Sequence, residues 1–320
     1  MTRFKVFASP TSFQKEQNRA ARELLGSRAD VTYNDLGVPL QGEQILERLE
    51  GVDGYVAGLD YITREVVEWM PESLRVISRY GIGVDRVDLP ACRERGIVVT
   101  NTPGANATAV CEVAFGLMLS IARNIPELDG AVKRGEWPRS EGIELAGRTL
   151  GIVGFGMIGK KLALRAKAFE MEVLAYDPFF DEAFALKSGV RRASLDELFR
   201  GSDFVSLHLP YSAETRHIVD GGRIAAMRRG AILINTARGG LIEEAAAAEA
   251  LKNGQLGGLG LDAFEQEPPS DSPLIGLPRV VMTPHTGAQT AEAVANMGMM
   301  AVRNLLDELD GKVSPYRVRG

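Results

Sequence analysis

The chain has 320 residues, with 37 Lys and Arg against 42 Asp and Glu and a formal net charge of -5. Hydrophobic residues make up 45% and charged residues 25%, which is typical of globular proteins. This acidic balance, without a basic cluster interleaved with aromatic residues, argues against nucleic-acid binding. No apolar run approaches the ~18 residues that span a bilayer, and no signal region opens the chain. We expect a cytoplasmic protein of two domains, at roughly 150 residues each, without a membrane or nucleic-acid partner.

Two cysteines are present, Cys92 and Cys111. They form no CxxC motif and have no spacing typical of metal ligands. The sequence therefore predicts two reduced thiols and no metal site.

Strand-like apolar runs alternate with helical stretches, a pattern typical of parallel sheets covered by helices. In the first hundred residues five runs predict strands, at residues 5–8, 31–33, 54–57, 76–79 and 98–100. A loop at 101–106 leads to a helix from about 108 to 123, with a further helical stretch to about 134. Apolar residues nearly encircle this helix, so we expect a buried linking helix or a subunit contact.

A second series of strands begins near residue 149. Six runs predict strands at residues 150–153, 173–176, 204–207, 232–235, 258–261 and 280–283. Six strands with helices between them fit a dinucleotide-binding sheet. Residues 289–309 are predicted to be helical, and their return to the first unit would make that domain discontinuous.

Glycines follow the first strand of this second series. Gly154 allows a tight turn, Gly156 lets the backbone approach a pyrophosphate, and Gly159 lets the helix pack on the strand. The next predicted strand ends at Asp177, roughly 20 residues further on, where a carboxylate accepts ribose hydroxyls. Because that carboxylate repels a 2′-phosphate, the sequence predicts NAD rather than NADP.

Polar residues stand directly after the later strands, namely His208, Arg238, Asp262 and His285. In an open parallel sheet these positions face one edge, where ligands bind. Hydride transfer from a carbinol requires a proton acceptor, and a neutral imidazole suits that role. Of the three histidines, His217 falls in a predicted helical stretch at 214–219, which leaves His208 and His285 as candidates.

Two further charged groups complete the predicted chemistry. Glu267 follows Asp262 by five residues, and a carboxylate on an imidazole fixes its tautomer and stabilises its protonated form. We expect it to pair with His285. Arg238 has a planar fork that matches a substrate carboxylate, which a lysine does not reproduce.

The ordered segments resemble the D-isomer-specific 2-hydroxyacid dehydrogenases, particularly the phosphoglycerate dehydrogenase-like branch. The segments that carry the resemblance are residues 79–85, 100–104, 154–159, 177, 208–210, 235–238, 262, 267–268 and 283–285. The resemblance implies an α/β protein of two doubly wound parallel-sheet domains. A Rossmann NAD-binding domain at 102–288 would be inserted in a flavodoxin-like substrate domain made of 1–101 and 289–320.

The resemblance also implies residue roles. Arg238 binds the substrate carboxylate, His285 is the general acid or base, and Glu267 is its partner. Backbone amides of Gly81, Ile82 and Gly83 are implied to bind the substrate carboxylate as well. The residues implied to contact NAD are Gly154, Gly156, Met157, Ile158, Gly159, Asp177, Leu209, Pro210, Thr215, Thr236, Ala237, Arg238, Asp262 and His285. Relatives are commonly homodimers joined through the NAD-binding domain, and the apolar helix after Asn106 is the expected contact.

The resemblance leaves the substrate open. Phosphoglycerate dehydrogenases typically carry an Arg-Ser pair after the third strand to hold the phosphate, whereas residues 56–60 here read Val-Ala-Gly-Leu-Asp. Arg64 either replaces that clamp or lies on a solvated helix face. No regulatory extension is seen, so feedback by serine is not expected. A small 2-hydroxy acid, as in hydroxypyruvate or glyoxylate reductases, therefore competes with 3-phosphoglycerate.

An alternative from another class is a non-enzymatic, corepressor-like NAD sensor. The joint presence of Arg238, Glu267 and His285 argues against it, because a pure binder gains nothing from a general base.

Overall fold

The computed structural model describes residues 3–318 and divides into two compact units. One unit comprises the described residues up to Asn106 together with those from Gln289 onwards, and the other spans Ala107–Ala288. Each unit contains its own parallel sheet with helices packed on it.

The first unit has a five-stranded sheet. Its strands are β1 (Phe4–Ala8), β2 (Ala29–Tyr33), β3 (Gly54–Ala57), β4 (Val76–Arg79) and β5 (Val98–Thr100). Its helices are α1 (Arg19–Arg28), α2 (Glu43–Leu46), α3 (Arg64–Trp69), α4 (Leu89–Glu94) and, near the end of the chain, α12 (Ala291–Leu309). The strand order is β2-β1-β3-β4-β5 and every pair is parallel, which is the flavodoxin-like order.

The long helix α12 completes the core of the first unit. It packs against α1, β3 and β4, and its apolar side is buried. Two side chains near β4 bond its backbone, since Ser78 Oγ donates to Ala301 O at 2.8 Å and Tyr80 Oη to Val294 O at 2.8 Å. The chain therefore returns to its first unit after the whole second sheet has been built.

The second unit has a seven-stranded sheet. Its strands are β6 (Thr149–Val153), β7 (Glu172–Tyr176), β8 (Arg191–Arg192), β9 (Phe204–Leu207), β10 (Ala231–Asn235), β11 (Leu256–Leu261) and β12 (Val280–Met282). Its helices are α5 (Ala107–Ala122), α6 (Ile125–Lys133), α7 (Met157–Ala168), α8 (Glu182–Ser188), α9 (Leu195–Gly201), α10 (Gly221–Ala226) and α11 (Glu244–Lys252). The order β12-β11-β10-β9-β6-β7-β8 is that of a Rossmann sheet with one added strand. The predicted fold class is confirmed.

Three details of the sequence prediction are wrong. The second sheet has seven strands rather than six, because β8 is two exposed arginines without an apolar run. Residues 214–219 form a turn and not a helix, and His217 adopts a left-handed φ of 48°. The helical stretch to residue 134 is broken at Asn124, whose φ is 53°, and α5 and α6 meet there at 64°.

Helix α5 is a core element of the second unit. It packs against α7, β10 and β11, and its buried residues include Cys111, Phe115 and Met118. Of the two expectations for this helix, burial within its own chain accounts for its apolar surface. Among residues 3–318 no single helix is long and apolar enough to cross a bilayer, although the bent pair α5 and α6 together meets that criterion by length and composition.

A histidine with a buried ring atom follows strand β9. His208 Nε2 lies 2.9 Å from Ser206 Oγ, while its Nδ1 is buried without a hydrogen-bond partner. Burial lowers the pKa of His208 to about 3, because a charged ring there has no compensating group. The ring is therefore neutral at physiological pH.

This lowered pKa predicts a loss of stability in acid. The unfolded chain binds a proton at His208 below pH ~6.5, whereas the folded chain does so only near its lowered pKa. Stability is thus present above pH ~6.5 and falls as the pH drops, by up to about 1.4 kcal/mol per pH unit from this group. We expect His208→Gln to remove this contribution from the pH slope of urea unfolding between pH 7 and 5. Ser206→Ala, which keeps the ring buried, should retain the parent slope, and an unchanged slope in His208→Gln would contradict the assignment.

Candidate active site

The carboxyl ends of four neighbouring strands carry the predicted polar residues of the second unit. Strands β9, β10, β11 and β12 are adjacent and parallel, so the residues that follow them lie along one edge of the sheet. His208, Arg238, Asp262 and His285 follow these strands in that order. Neighbouring strands are ~4.8 Å apart, so adjacent members of this row are within reach of one small ligand.

The glycine loop between β6 and α7 is closely packed at two of its three glycines. Gly154 has a φ of 103°, and a Cβ there would lie 2.6 Å from the carbonyl carbon of His208. A Cβ on Gly159 would overlap the carbonyl oxygen of Gly154. At Gly156, by contrast, a Cβ would meet no atom within 4 Å. Two glycines are required by backbone packing, and the third borders open space.

That open space lies at the start of helix α7. Gly156 is the residue before its first turn, and the helix begins at Met157 and Ile158. Backbone N–H groups at a helix N-terminus are unpaired within the helix and carry partial positive charge. The residues present therefore fit a pyrophosphate lying over Gly156.

Asp177 follows β7, the strand beside β6. Its Oδ2 accepts a hydrogen bond from Phe155 N at 2.7 Å, and its Oδ1 accepts one from Phe179 N at 2.8 Å. The carboxylate thus lies directly at the glycine loop, and each oxygen keeps a further lone pair for a ribose hydroxyl.

The loop after β9 holds the three residues predicted on the adenine side. Leu209 is buried and Pro210 is exposed. Thr215 Oγ1 donates to Pro210 O at 2.8 Å and accepts from Ser212 N at 2.7 Å, which closes the loop into a compact turn. Thr215 therefore shapes this loop through contacts within the protein.

Two buried polar atoms at neighbouring strand ends have no partner in the described part of the chain. They are Nδ1 of His208 and Oγ1 of Thr236. Because Leu207 pairs with Asn235 in the sheet, the two residues stand side by side just beyond β9 and β10. Buried polar groups without partners are rare in native proteins, so this pair indicates a polar ligand at the sheet edge.

The segment after β10 presents Arg238. Asn235 Nδ2 donates to Arg238 O at 2.8 Å, and its Oδ1 accepts from Ala237 N at 3.0 Å, so one side chain holds the turn. Arg238 Nη1 donates to Ala237 O at 2.8 Å. The guanidinium is half-buried, and its planar fork suits a carboxylate ligand.

His285 and Glu267 form a hydrogen-bonded pair. His285 Nδ1 lies 2.7 Å from Glu267 Oε1, and the two side chains are 29% and 23% exposed. Glu267 Oε1 also accepts a long bond of 3.4 Å from Phe264 N. Because the carboxylate is an acceptor, Nδ1 carries a proton and Nε2 is left as the nitrogen that exchanges one.

Asp262 fastens the loop that carries His285. Its carboxylate is 2% exposed and accepts hydrogen bonds from Thr283 Oγ1 at 2.5 Å, Thr286 N at 2.8 Å and Gly287 N at 2.7 Å. A Cβ on Gly287 would lie 2.8 Å from Asp262 Oδ2, so this approach requires glycine. Asp262 was expected to contact NAD, and in the structure its carboxylate also holds the His285 loop.

The predicted substrate amides lie in the first unit, after β4. Gly81 has a φ of 137°, and its N–H donates to Thr102 Oγ1 at 2.9 Å and to Arg79 O at 3.0 Å. The Ile82 and Gly83 amides have no acceptor among the described residues. Of the three amides, these two are available to a carboxylate.

A second histidine–carboxylate pair was not anticipated from the sequence. His217 Nε2 lies 2.9 Å from Glu265 Oε1. The partners are 48 residues apart, and no motif or periodicity links them. Only the fold brings them together.

Most of the second unit matches a known protein family. Residues 115–287 match the family described as D-isomer specific 2-hydroxyacid dehydrogenase, NAD binding domain.

Curated relatives with 43% identity to the chain include two enzymes that differ in length. One is D-3-phosphoglycerate dehydrogenase of Methanocaldococcus jannaschii, over 289 residues that cover 89% of this chain and 55% of that protein. The other is hydroxypyruvate reductase of Thermotoga maritima, over 276 residues that cover 84% of this chain and 89% of that protein. The chain therefore spans about half the length of the phosphoglycerate dehydrogenase relative and most of the reductase.

A solved structure aligns along almost the whole chain. D-lactate dehydrogenase from Aquifex aeolicus, complexed with NAD and lactic acid, has a TM-score of 0.86 and 28% identity and covers 99% of both chains. With the profile match and the two relatives, this confirms the resemblance seen in the motifs. The chain belongs to the D-isomer specific 2-hydroxyacid dehydrogenase family, and residues 115–287 are its NAD-binding domain.

Proposed function

We propose that the protein is an NAD-dependent oxidoreductase that interconverts a small D-2-hydroxy acid and its 2-oxo acid. The observation that carries the proposal is the His285–Glu267 hydrogen bond at the sheet edge that also presents Arg238. This reaction requires two groups from the protein. A guanidinium binds the substrate carboxylate, and an imidazole exchanges the hydroxyl proton. The names of the relatives, which are dehydrogenases and reductases of such acids, support it.

In the proposed mechanism the chain binds and orients the acid and moves one proton. Arg238 holds the substrate carboxylate. Bound NAD supplies the carbon that takes or gives the hydride. His285 Nε2 donates a proton to the carbonyl oxygen during reduction and removes it from the hydroxyl during oxidation. Glu267 stabilises the imidazolium through Nδ1 and keeps the ring in the productive tautomer.

We assign the first unit, proposed as residues 1–101 with 289–320, to the substrate, and residues 102–288 to NAD. Asp177 supports NAD over NADP, because its carboxylate stands at the glycine loop and repels a 2′-phosphate. The open space at Gly156 and the unpartnered atoms of His208 and Thr236 support a cofactor along this edge.

The loop after β3 supports a substrate without a phosphate. Residues 57–60 include no Lys or Arg, and the Asp60 carboxylate is buried, where it accepts hydrogen bonds from Ser9 Oγ and from Tyr55 Oη and Gly58 N, both at 2.8 Å. Arg64, the other candidate clamp, is paired with Glu94 at 2.8 Å on an exposed helix face.

One cation does reach this loop. Arg86 donates to Leu59 O at 2.9 Å and stacks 4.5 Å above the Tyr61 ring. Because Arg86 already bonds the loop and stacks on Tyr61, we rank hydroxypyruvate and glyoxylate above 3-phosphohydroxypyruvate, and a short anionic tail next to Arg86 is the alternative.

The first test is oxidation of NADH with glyoxylate, hydroxypyruvate, pyruvate and 3-phosphohydroxypyruvate. We expect turnover with NADH over NADPH and a higher kcat/KM for the uncharged tails. A higher kcat/KM for the phosphorylated acid would reverse the substrate ranking. NADH binding without turnover on any acid would favour the corepressor-like sensor and contradict the enzyme.

A second prediction concerns the proton-transfer pair. Reduction requires a protonated His285 and oxidation a neutral one, so the two directions should lose rate at opposite ends of the pH range. We expect Glu267→Gln to lower kcat in both directions, because the imidazolium loses its anionic partner, and His285→Ala to reduce kcat by roughly 100-fold or more. NADH binding, measured by fluorescence, should survive both changes. Identical pH profiles for the two directions would rule out His285 as the proton carrier.

We propose a homodimer joined through the NAD-binding domain. Since α5 is buried within its own unit, the apolar side chains available to a partner lie beyond it: Ile125 is 50%, Val132 51% and Trp137 79% exposed. Light scattering should give about twice the 34.6 kDa of one chain, and Trp137→Glu should reduce that mass. A monomer mass for the parent chain would contradict the dimer.

We also place the protein in the cytoplasm. Both cysteines are free and buried, and burial raises the pKa of Cys92 to about 12, so it stays a thiol. Such thiols are compatible with a reducing compartment. Recovery in a membrane or secreted fraction would contradict this location.

A further inference from the structure

The segment after β11 carries two carboxylates, and each is paired with a different histidine. Glu267 bonds His285 at 2.7 Å, and Glu265, two residues earlier, bonds His217 at 2.9 Å. Both histidines have a left-handed backbone, with φ of 52° and 48°. A non-glycine residue in that region is uncommon and persists where its surroundings hold it.

The backbone of this segment is in direct contact with the segment that carries Arg238. A Cβ on Gly239 would overlap the carbonyl carbon of Phe264. Gly239, which follows Arg238, therefore packs main chain against main chain with Phe264, which lies three residues before Glu267. Any sliding between the two segments changes the separation of Arg238 from the His285–Glu267 pair.

The His217–Glu265 pair lies across this contact. His217 N donates to Gly240 O at 2.8 Å, so its backbone is attached to the Arg238 segment, while its ring reaches Glu265 on the other segment. A second hydrogen bond also holds the Glu265 segment, because Glu265 N donates to Glu244 Oε1 at 2.9 Å. Glu244 in turn accepts from Ser272 Oγ at 2.5 Å.

We propose that His217 and Glu265 are positioning residues that fix the register between the Arg238 segment and the segment of Glu267. The His217 ring touches neither reacting group and acts through the backbone contact at Gly239. This inference rests on the proposed function for its effect on catalysis, but its effect on the His285–Glu267 bond is independent of turnover.

The geometry suggests variants on both sides of the pair. His217→Asn removes the ring yet keeps a residue that tolerates a left-handed backbone. Glu265→Ala removes the acceptor, whereas Glu265→Gln keeps an acceptor oxygen without the charge. Glu249→Gln is the matched control, because Glu249 lies exposed on α11 and its carboxylate bonds Lys252 in the same helix.

The main measurement is the NMR signal of the His285 Nδ1–H proton, which is simple to assign because the chain has 3 histidines. In His217→Asn and Glu265→Ala we expect this signal to move upfield and its exchange with water to become faster, as Glu267 moves from Nδ1. We expect kcat for the preferred 2-oxo acid to fall roughly tenfold with a raised KM. Glu265→Gln should restore much of both, Glu249→Gln should match the parent, and NADH affinity should not change.

The outcomes separate the two proposals. A parent chain that turns over no 2-oxo acid, with a shifted His285 Nδ1–H signal in the variants, removes the proposed function and leaves the positioning role. An active parent whose variants keep its Nδ1–H signal and its kinetics removes the positioning role alone. Folding is checked by circular dichroism; if one variant unfolds, the other decides, and loss of folding in both shows a structural role and overturns the proposal.

Discussion

The hydrogen bond from His285 to Glu267 is the interaction on which the rest of the site depends. By engaging Nδ1, it decides which nitrogen of the ring is free to exchange a proton. It also places an anion against the ring at the moment when the ring becomes a cation. The role proposed for Arg238 has meaning only if this nitrogen faces the same substrate carbon that Arg238 orients.

Much of the surrounding structure serves to hold that bond. Three acidic residues after β11 each hold a different part of the site. Asp262 bonds the loop of His285, Glu267 bonds the His285 ring, and Glu265 bonds His217, which is attached to the Arg238 segment. Their proximity in sequence contrasts with the distance between their partners. A short stretch of chain therefore determines the relative placement of several loops at the sheet edge.

The sequence predicted most of this architecture because buried parallel strands are short apolar runs, which are visible without an alignment. Strand β8 was missed since Arg191 and Arg192 are exposed and have no such pattern. The turn at 214–219 was mistaken for a helix because the left-handed backbone of His217 cannot be recognised from the residue types in this stretch.

The parts of the site that are encoded in local sequence motifs were predictable. The parts that depend on contacts between distant segments were not. The glycine loop and Asp177 follow from local spacing. Their mutual contact, Asp177 with the Phe155 amide, follows from the pairing of β6 with β7. The clamp of Asp262 on the 283–287 loop and the pairing of His217 with Glu265 join distant segments, so only coordinates reveal them.

The late return of α12 to the first unit has a consequence for synthesis of the chain. The second unit is contiguous and can fold as soon as its last strand has left the ribosome. The first unit cannot complete its core until α12 is synthesised, because β3 and β4 pack against this helix and it follows all the strands in the chain. During that interval apolar surface of the older sheet is uncovered, so the nascent chain passes through a stage at which aggregation and chaperone capture compete with completion.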